Sequence, residues 1–360
     1  MMRASGSTGA QVARVEPALR QTWRELIATD PDAMPTQSPE WIDSLCANGR
    51  YVDASTCYDL SDGRRALLPM VRRANRPGWA STLDSMPASW GFGGLLVEGG
   101  ITVEAVSAVV DDLVTQAPLR VHLRPNPLHA DVWAAAMAGR RGVSTKPSNA
   151  HVLDLDGGFD TVWQQRFKKA TRSKVRKAER MGVVVETDTT GRLLPELHEL
   201  LRTSVDRWAA HQHEPVRLAQ ARFARRDPLA KLQNIAEHLG GSCQVSVARF
   251  HGRPIAAMLD LHGRNAHSTR GAMDKELELA SHTEANRLLQ SVAIEAACQA
   301  GCGSYHMGES GQAAGLSYFK SAFGAVAHPY DEYFIERVPL TRLDQLVRTS
   351  AKRVLGFRDV

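Results

Sequence analysis

The chain has 360 residues, of which 43% are hydrophobic, and its formal net charge is +5. This length predicts two domains, and the apolar fraction is sufficient for a core in each. The basic excess is concentrated in residues 166–180, which hold eight Lys or Arg residues and one Glu. This excludes a basic coat over the whole surface and indicates a local anionic partner.

The cysteine content and the lengths of the apolar runs indicate the cellular compartment. There are five cysteines, an odd number, and no two of them form a Cys-x-x-Cys pair. Reduced thiols and no metal site are therefore expected. The N-terminus lacks the apolar core of a signal peptide, and no run approaches the roughly 20 apolar residues of a spanning helix. We expect a cytoplasmic protein without an integral membrane segment.

The first half of the chain alternates helix and strand patterns. Residues 1–15 are rich in Gly, Ser and Ala and are predicted to be disordered. Ser38 as an N-cap and Pro39 in the first turn indicate the start of a helix. The other predicted elements are, in chain order, a helix at 16–29, a hairpin at 54–60 and 65–72, a helix at 103–115, a strand at 119–123 and a helix at 130–138.

The second half shows the same order more clearly. Its shared plan of helix, antiparallel hairpin, helix, strand and short helix predicts two similar α/β units side by side. We expect a first unit at 1–150 and a second at 151–325, with 326–360 packing back on the first. The predicted elements are strands at 152–155, 183–187, 244–250, 254–262, 267–273, 304–307 and 330–337, and helices at 159–181, 193–211, 218–239, 283–300, 316–323 and 340–354.

Two segments about 150 residues apart carry the strongest functional pattern. The first, at 166–183, reads RFKKATRSKVRKAERMGV and forms a basic helix that ends in Met-Gly. The second contains His306-Met307-Gly308-Glu309-Ser310 and, at 315–324, GLSYFKSAFG. A basic helix followed by Gly-Leu-x-x-Phe-Lys-x-x-Phe-Gly resembles the Fem-type branch of the GNAT acyltransferase superfamily, including its BioF2-like domain.

The resemblance implies an architecture and an activity. Such proteins have two tandem GNAT-like units, each an α/β unit with a mixed central sheet flanked by helices. The best-understood members transfer aminoacyl groups from aminoacyl-tRNA to amines on peptidoglycan precursors. Relatives form peptide bonds in secondary metabolites or transfer other acyl groups. The match is strongest over 159–330 and weaker at 37–41 and 67–69.

One departure concerns the donor. A GNAT enzyme that uses acetyl-CoA carries Arg/Gln-x-x-Gly-x-Gly/Ala between its fourth strand and the next helix, where backbone N–H groups hold the pyrophosphate. Here residues 274–282 read DKELELASH, without a glycine. The usual CoA cradle is missing, as it is in Fem-type enzymes, so no bound cofactor is expected and the donor is predicted to be a tRNA ester or another carrier.

The candidate catalytic residues are Lys320, Phe319 and Glu309. The resemblance places Phe319 and Lys320 beside the reaction centre, where an ammonium would stabilise the oxyanion of ester aminolysis. Glu309 is a candidate general base for the amine, and Gly308 would permit close approach of the donor. A surface lysine and a simple glycine turn are the alternative interpretations.

Two further groups of residues are candidates for binding. Gly308, Ser310, Tyr318, Arg270 and Asp274 are expected to contact substrate, because they flank the same cleft in this fold. The basic helix would face the phosphates of tRNA, although a solvated face is the alternative. The expected phosphate-binding residues are Lys168, Lys169, Arg172 and Arg176.

Three functions remain open from the sequence. The first is an amide-forming aminoacyltransferase that uses charged tRNA and a peptide, cell-wall precursor or natural-product amine. The second is an N-acyltransferase that uses acyl-CoA or an acyl carrier protein. The third is a non-catalytic RNA-binding protein. No DNA partner is expected.

Overall fold

The structure is a computed structural model that describes residues 10–76, 82–116, 118–274, 279–311, 313–338 and 340–341. The helices are α1 Arg20–Thr29, α2 Pro39–Cys46, α3 Val103–Gln116, α4 Ala130–Met137, α5 Gly158–Thr161, α6 Lys169–Arg180, α7 Leu194–His211, α8 Val216–Arg226, α9 Leu229–Leu239, α10 Leu279–His282, α11 Ala285–Gln299 and α12 Ala314–Ser321. The strands are β1 Val12–Pro17, β2 Tyr51–Asp53, β3 Thr56–Leu60, β4 Arg65–Leu68, β5 Val71–Arg73, β6 Thr82–Asp84, β7 Leu96–Val97, β8 Arg120–Leu123, β9 Val143–Asp154, β10 Val184–Asp188, β11 Cys243–Phe250, β12 Arg253–Leu261, β13 Ala266–Met273, β14 Ser304–Glu309 and β15 Val326–Glu336.

A mixed eleven-stranded sheet forms the centre of the molecule, in the order β10-β11-β12-β13-β14-β9-β15-β8-β6-β5-β2. A smaller four-stranded sheet has the order β1-β3-β4-β7. Helices cover both faces of the second half of the large sheet: α7 and α9 enclose one apolar core with β11 and β12, while α6 and α11 enclose another on the opposite face. The predicted α/β class is confirmed.

The two units exchange their last strands. β9 pairs antiparallel with β14 of the second half, and β15 lies between β9 and β8 of the first half. The β9–β15 ladder runs from the pair Val152–Val326 to the pair Val143–Ile335. One continuous sheet therefore crosses both halves. The predicted boundary at residue 150 falls inside β9 and stays a prediction.

Three local predictions are wrong. Residues 12–15, expected to be disordered, belong to β1, which pairs with β3. The expected helix at 159–181 is interrupted by a π-helical turn at Val162–Arg166 and an extended break at Phe167 and Lys168. The expected helix at 218–239 divides at Pro228, because proline lacks the N–H and disfavours a helical residue before it. The predicted tail helix lies outside the described residues beyond position 341.

Candidate functional site

The candidate site lies where β13 and β14 separate. These parallel strands pair only at Ala266–Tyr305 and His267–His306, and then diverge. Gly308 follows with φ of +72°, and a Cβ there would have the Ser268 carbonyl oxygen, at 3.6 Å, as its nearest neighbour. The edge of the β13–β14 opening at Gly308 is therefore backbone, with no side chain to cover it.

The corresponding place in the first half is filled by its own chain. β6 and β8 also run parallel, but Gly93 forms a bridge to Pro125 beyond them, and its N–H donates to the Arg124 carbonyl at 2.8 Å. A Cβ on Gly93 would lie 2.7 Å from the Ser85 carbonyl oxygen, so only glycine fits. The second half thus has the open position.

Lys320 lies at the edge of the β13–β14 opening and binds the backbone there. Its Nζ donates to the carbonyl oxygens of Gly308 and Glu309, both at 2.8 Å. The side chain is buried, and burial lowers the pKa of Lys320 to about 8, although the Glu309 carboxylate opposes this shift. The group remains mostly an ammonium at neutral pH, and two of its three N–H donors fix the end of β14.

Glu309 lies in a dense polar cluster. Its carboxylate pairs with Arg124 at 2.5 Å and accepts hydrogen bonds from the hydroxyls of Ser148, at 2.7 Å, and Tyr330. Burial alone would raise the pKa of Glu309, but the Arg124 guanidinium and these hydrogen bonds hold it below its usual range. Such a carboxylate is a weak base, and the geometry fits an anchor more closely than a proton acceptor.

Unpaired polar atoms surround the opening. The ring of Phe92 packs edge-on against His267 and Tyr330 and lies beneath the guanidinium of Arg124. Within the described part of the chain, both ring nitrogens of His306, Nδ1 of His267 and Nε of Arg124 are buried without a hydrogen-bond partner. Burial lowers the pKa of His267 to about 3 and that of His306 well below its usual value, so both imidazoles are neutral. Buried polar groups are normally satisfied, so these unpaired atoms single out the residues just before the opening.

The remaining predicted substrate residues are spread around this centre. Tyr318 is 63% exposed on α12, whereas Phe319 is half-buried and packs against the core residue Phe323 at a centroid distance of 5.1 Å. Arg270 pairs with the buried Asp227 at 2.6 Å. Asp274, at the end of the described stretch before residue 279, pairs with Arg253 at 3.1 Å.

Some basic side chains of helix α6 are exposed, and others bond within the protein. Lys168, at its N-cap, and Lys169, in its first turn, are exposed, and Lys168 lies over the Tyr318 ring with 5.2 Å to its centroid. Arg176 is also exposed and lies over Trp163. Arg172 instead donates to the carbonyls of Trp163 and Gln164 in the preceding π-helical turn and of Phe167 after it, so its guanidinium is engaged within the protein. The structure therefore brings Lys168 and Lys169, but not the guanidinium of Arg172, to the free surface beside α12.

The last residue of the second motif, Gly324, has to be a glycine for steric reasons. Gly324 has φ of +89°, and a Cβ would lie 2.6 Å from the Arg166 carbonyl oxygen. The backbone N–H of Lys168 donates to the Ala322 carbonyl at 3.0 Å. The two motifs of the sequence therefore touch, and the start of α6 is fixed against the end of α12, which carries Lys320.

Sequence reasoning missed several residues of the site. Arg124, Tyr330 and Ser148 surround Glu309, and His151 lies within hydrogen-bond distance of Ser310. Within the described ranges, no group of three or more His, Cys, Asp and Glu side chains is arranged to hold a metal ion.

Comparisons with known proteins agree with this geometry. Residues 165–321 match the family described as acetyltransferase (GNAT) domain. The structure is similar to the crystal structure of FemX, with 13% identity, a TM-score of 0.66 and coverage of 92% of this chain and 99% of that chain. It is also similar to the C-terminal domain of a putative lysylphosphatidylglycerol synthetase from Agrobacterium fabrum, with 13% identity, a TM-score of 0.50 and coverage of 92% and 95%. No curated protein matches the sequence.

Residues 165–321 match a GNAT acetyltransferase domain, and the predicted acyltransferase class is confirmed. More specifically, the chain has the fold of FemX over 92% of its length, which agrees with the Fem-type resemblance of the α6 and α12 motifs. In the described part of the chain, none of the helices has the length and apolarity needed to span a bilayer.

Proposed function

We propose that the protein transfers an aminoacyl group from aminoacyl-tRNA to an amine of a peptide, cell-wall precursor or natural product, which forms an amide bond. The observation that supports this most strongly is a juxtaposition. The β13–β14 opening, the Lys320 ammonium and the exposed start of the basic helix α6 all meet at α12.

The donor would enter at the β13–β14 opening, with its phosphates beside α6. Backbone N–H groups at a helix N-terminus attract anions, and the first turn of α6 contains no acidic residue. Lysines at this end of a helix oppose the helix dipole, so Lys168 and Lys169 are unfavourable for the fold alone. Their cost is explained if they bind the phosphates of a nucleic-acid carrier.

The acyl carbonyl would lie beside Lys320. Attack of an amine on an ester carbonyl creates an oxyanion, and a buried ammonium stabilises that charge more than an exposed one. The Gly308 and Glu309 carbonyls orient two N–H groups of Lys320. The third N–H of Lys320 would donate to the oxyanion.

The test of the proposed function is product formation with charged tRNA. Purified protein is incubated with a pool of aminoacyl-tRNAs and a panel of peptide and small amine acceptors, and the amide is detected by mass spectrometry. We expect a product that disappears when the tRNA is digested with RNase beforehand. Formation of the same product after RNase treatment would reject the tRNA donor.

A second candidate is an N-acyltransferase with an acyl-CoA or acyl carrier protein donor, favoured by the match of residues 165–321 to an acetyltransferase domain. A thioester arm in the same assay separates the two, because release of free thiol would be required. Thiol release together with RNase-resistant product would favour this candidate.

The affinity of helix α6 for tRNA should depend on the salt concentration. Replacing both Lys168 and Lys169 with alanine should weaken tRNA binding and reduce the slope of log K against log salt concentration by about 1 to 2, because each phosphate contact contributes about 0.7 to 0.9. The affinity is measured by filter binding at several salt concentrations.

The matched control removes two other charges from the same helix. Lys174 pairs with Glu284 at 3.0 Å, and Lys177 donates to the His282 carbonyl at 2.7 Å, so both ammonium groups are already engaged within the protein. The double variant Lys174→Ala, Lys177→Ala should keep the salt slope of the wild type. Equal losses in the two double variants would show that the helix acts only through its total charge.

A further inference from the structure

His151 lies between two hydroxyl groups. This β9 residue is fully buried; its Nδ1 lies 3.1 Å from Oγ of Ser310 and its Nε2 lies 3.1 Å from Oγ of Ser317. Ser310 follows the end of β14 at the β13–β14 opening, and Ser317 is partly exposed on α12. A neutral imidazole has one donor and one acceptor nitrogen, so this row of three groups connects the opening with the surface of α12 through hydrogen bonds.

The surroundings keep this imidazole neutral. Burial lowers the pKa of His151 below its usual range, and the positive charge of Lys320 on α12 and, when protonated, of His328 on β15 lowers it further. A histidine in this environment can pass a proton on, but it does not retain one at neutral pH.

The proposed reaction requires such a group. When an amine attacks the ester, a C–N bond forms, the ester C–O bond breaks, and the nitrogen must lose a proton while the departing oxygen gains one. Lys320 is a cation, and Glu309 is held as a weak base by Arg124. Neither is suited to accept the amine proton.

We propose that Ser310, His151 and Ser317 form a proton relay for acyl transfer, an inference that rests on the proposed amide-forming function. Ser310 Oγ takes the proton of the attacking amine as its own hydrogen passes to Nδ1 of His151. The hydrogen on Nε2 passes to Ser317, whose own hydrogen goes to water at the surface of α12, while the departing oxygen takes a proton from water at the opening. Proton exchange with water then restores the starting tautomer of His151. Because His151 acts through Ser310, it is a positioning and relay residue and does not touch the reacting atoms.

The test is the pH profile of His151→Gln. Glutamine can donate one hydrogen bond and accept another, but it cannot conduct a proton. In the wild type, log kcat/KM should fall as the pH decreases. Its slope should be one where only the acceptor amine becomes protonated, and two below the pKa of His151, where the imidazole becomes protonated as well. In the variant the rate should be lower by about a hundredfold, with KM little changed, and the slope should stay at one.

Two further variants make the result decisive. Added imidazole should restore part of the activity of His151→Ala, which a purely structural role would not allow. His328→Gln, which changes a histidine on the neighbouring strand, should keep the wild-type rate at neutral pH and both slopes, with the lower break moved to a slightly higher pH. A His151→Gln variant with the wild-type rate and slope, or a lack of imidazole rescue, would overturn the relay.

The proposed relay and the proposed donor can be rejected independently of each other. If the wild type uses a thioester and not aminoacyl-tRNA, the donor proposal fails, but aminolysis of a thioester releases the same amine proton and the profile still tests His151. The free protein gives an independent measurement by NMR. A His151 ring that titrates above pH 6.5, the usual histidine value, would contradict the neutral relay.

Discussion

Replacing Lys320 with methionine is expected to lower the rate of acyl transfer by about a hundred- to a thousandfold, as the loss of one oxyanion donor does in acyl-transfer enzymes. Methionine keeps most of the apolar stem but removes the charge and all N–H donors. The measurement is single-turnover transfer at saturating donor, beside the affinity for tRNA. We expect the rate constant to fall while the affinity changes little, because the phosphates are assigned to Lys168 and Lys169.

The pH dependence of the wild type gives the same prediction without a mutation. The pKa of Lys320 is lowered by burial to about 8, so its charge is lost as the pH rises through that value. The rate should therefore decline above about pH 8 if the ammonium stabilises the oxyanion. Lys320→Arg, which keeps a charge at every accessible pH, should remove that decline even if its rate is lower. A Lys320→Met variant within about fivefold of the wild type would contradict the role of this lysine.

Replacing Glu332 with glutamine is expected to destabilise the fold by about 3 kcal/mol. This buried β15 residue joins the exchanged strands: its carboxylate contacts His122 of β8 at 2.8 Å and Lys146 of β9 at 2.7 Å. Burial would raise the pKa of Glu332, but these partners and Arg124 lower it to about 2. Breaking one partner of such a buried cluster leaves the other charges uncompensated.

The pH window of this effect follows from the sign of the shift. A carboxyl whose folded pKa is below its unfolded value stabilises the protein above the unfolded pKa, here 4.5, and loses that contribution as the pH falls through about 2. Urea unfolding at pH 7 and near pH 3 should show a difference that falls to less than half at the lower pH. The control is Glu98→Gln, because Glu98 pairs with Arg65 at an exposed site and should contribute less than about 1 kcal/mol. Equal losses in both variants would contradict the importance of the strand exchange.

Much of the fold is predictable from the sequence because local patterns determine it. Ser38 and Pro39 cap α2 as expected, with the Ser38 side chain accepting from the Trp41 N–H. The exchange of β9 and β15 is not predictable in this way. Which long strand pairs with which depends on partners almost 200 residues away, and the polar residues of β9, such as Lys146 and Ser148, do not read as a buried strand.

The site is predictable only in part, for a related reason. The resemblance places Lys320 and Glu309, but the partner of Glu309 comes from the first half of the chain. The sequence does contain a sign that the two halves correspond in this region. His122 and His306 each precede the first residue of the following helix, Ala130 and Ala314, by the same number of residues. Aligning the halves at these histidines would have made Arg124 the counterpart of Gly308 and so singled it out as a candidate.

The central claim is that the acyl donor occupies the β13–β14 opening of the second half. The most direct measurement is a crystal structure with a stable amide analogue of an aminoacylated tRNA 3′ end. We predict that its acyl group lies beside Gly308 and Lys320, with the neighbouring phosphates at Lys168 and Lys169. An analogue bound instead at the first half, or along α6 without reaching the opening, would contradict this account.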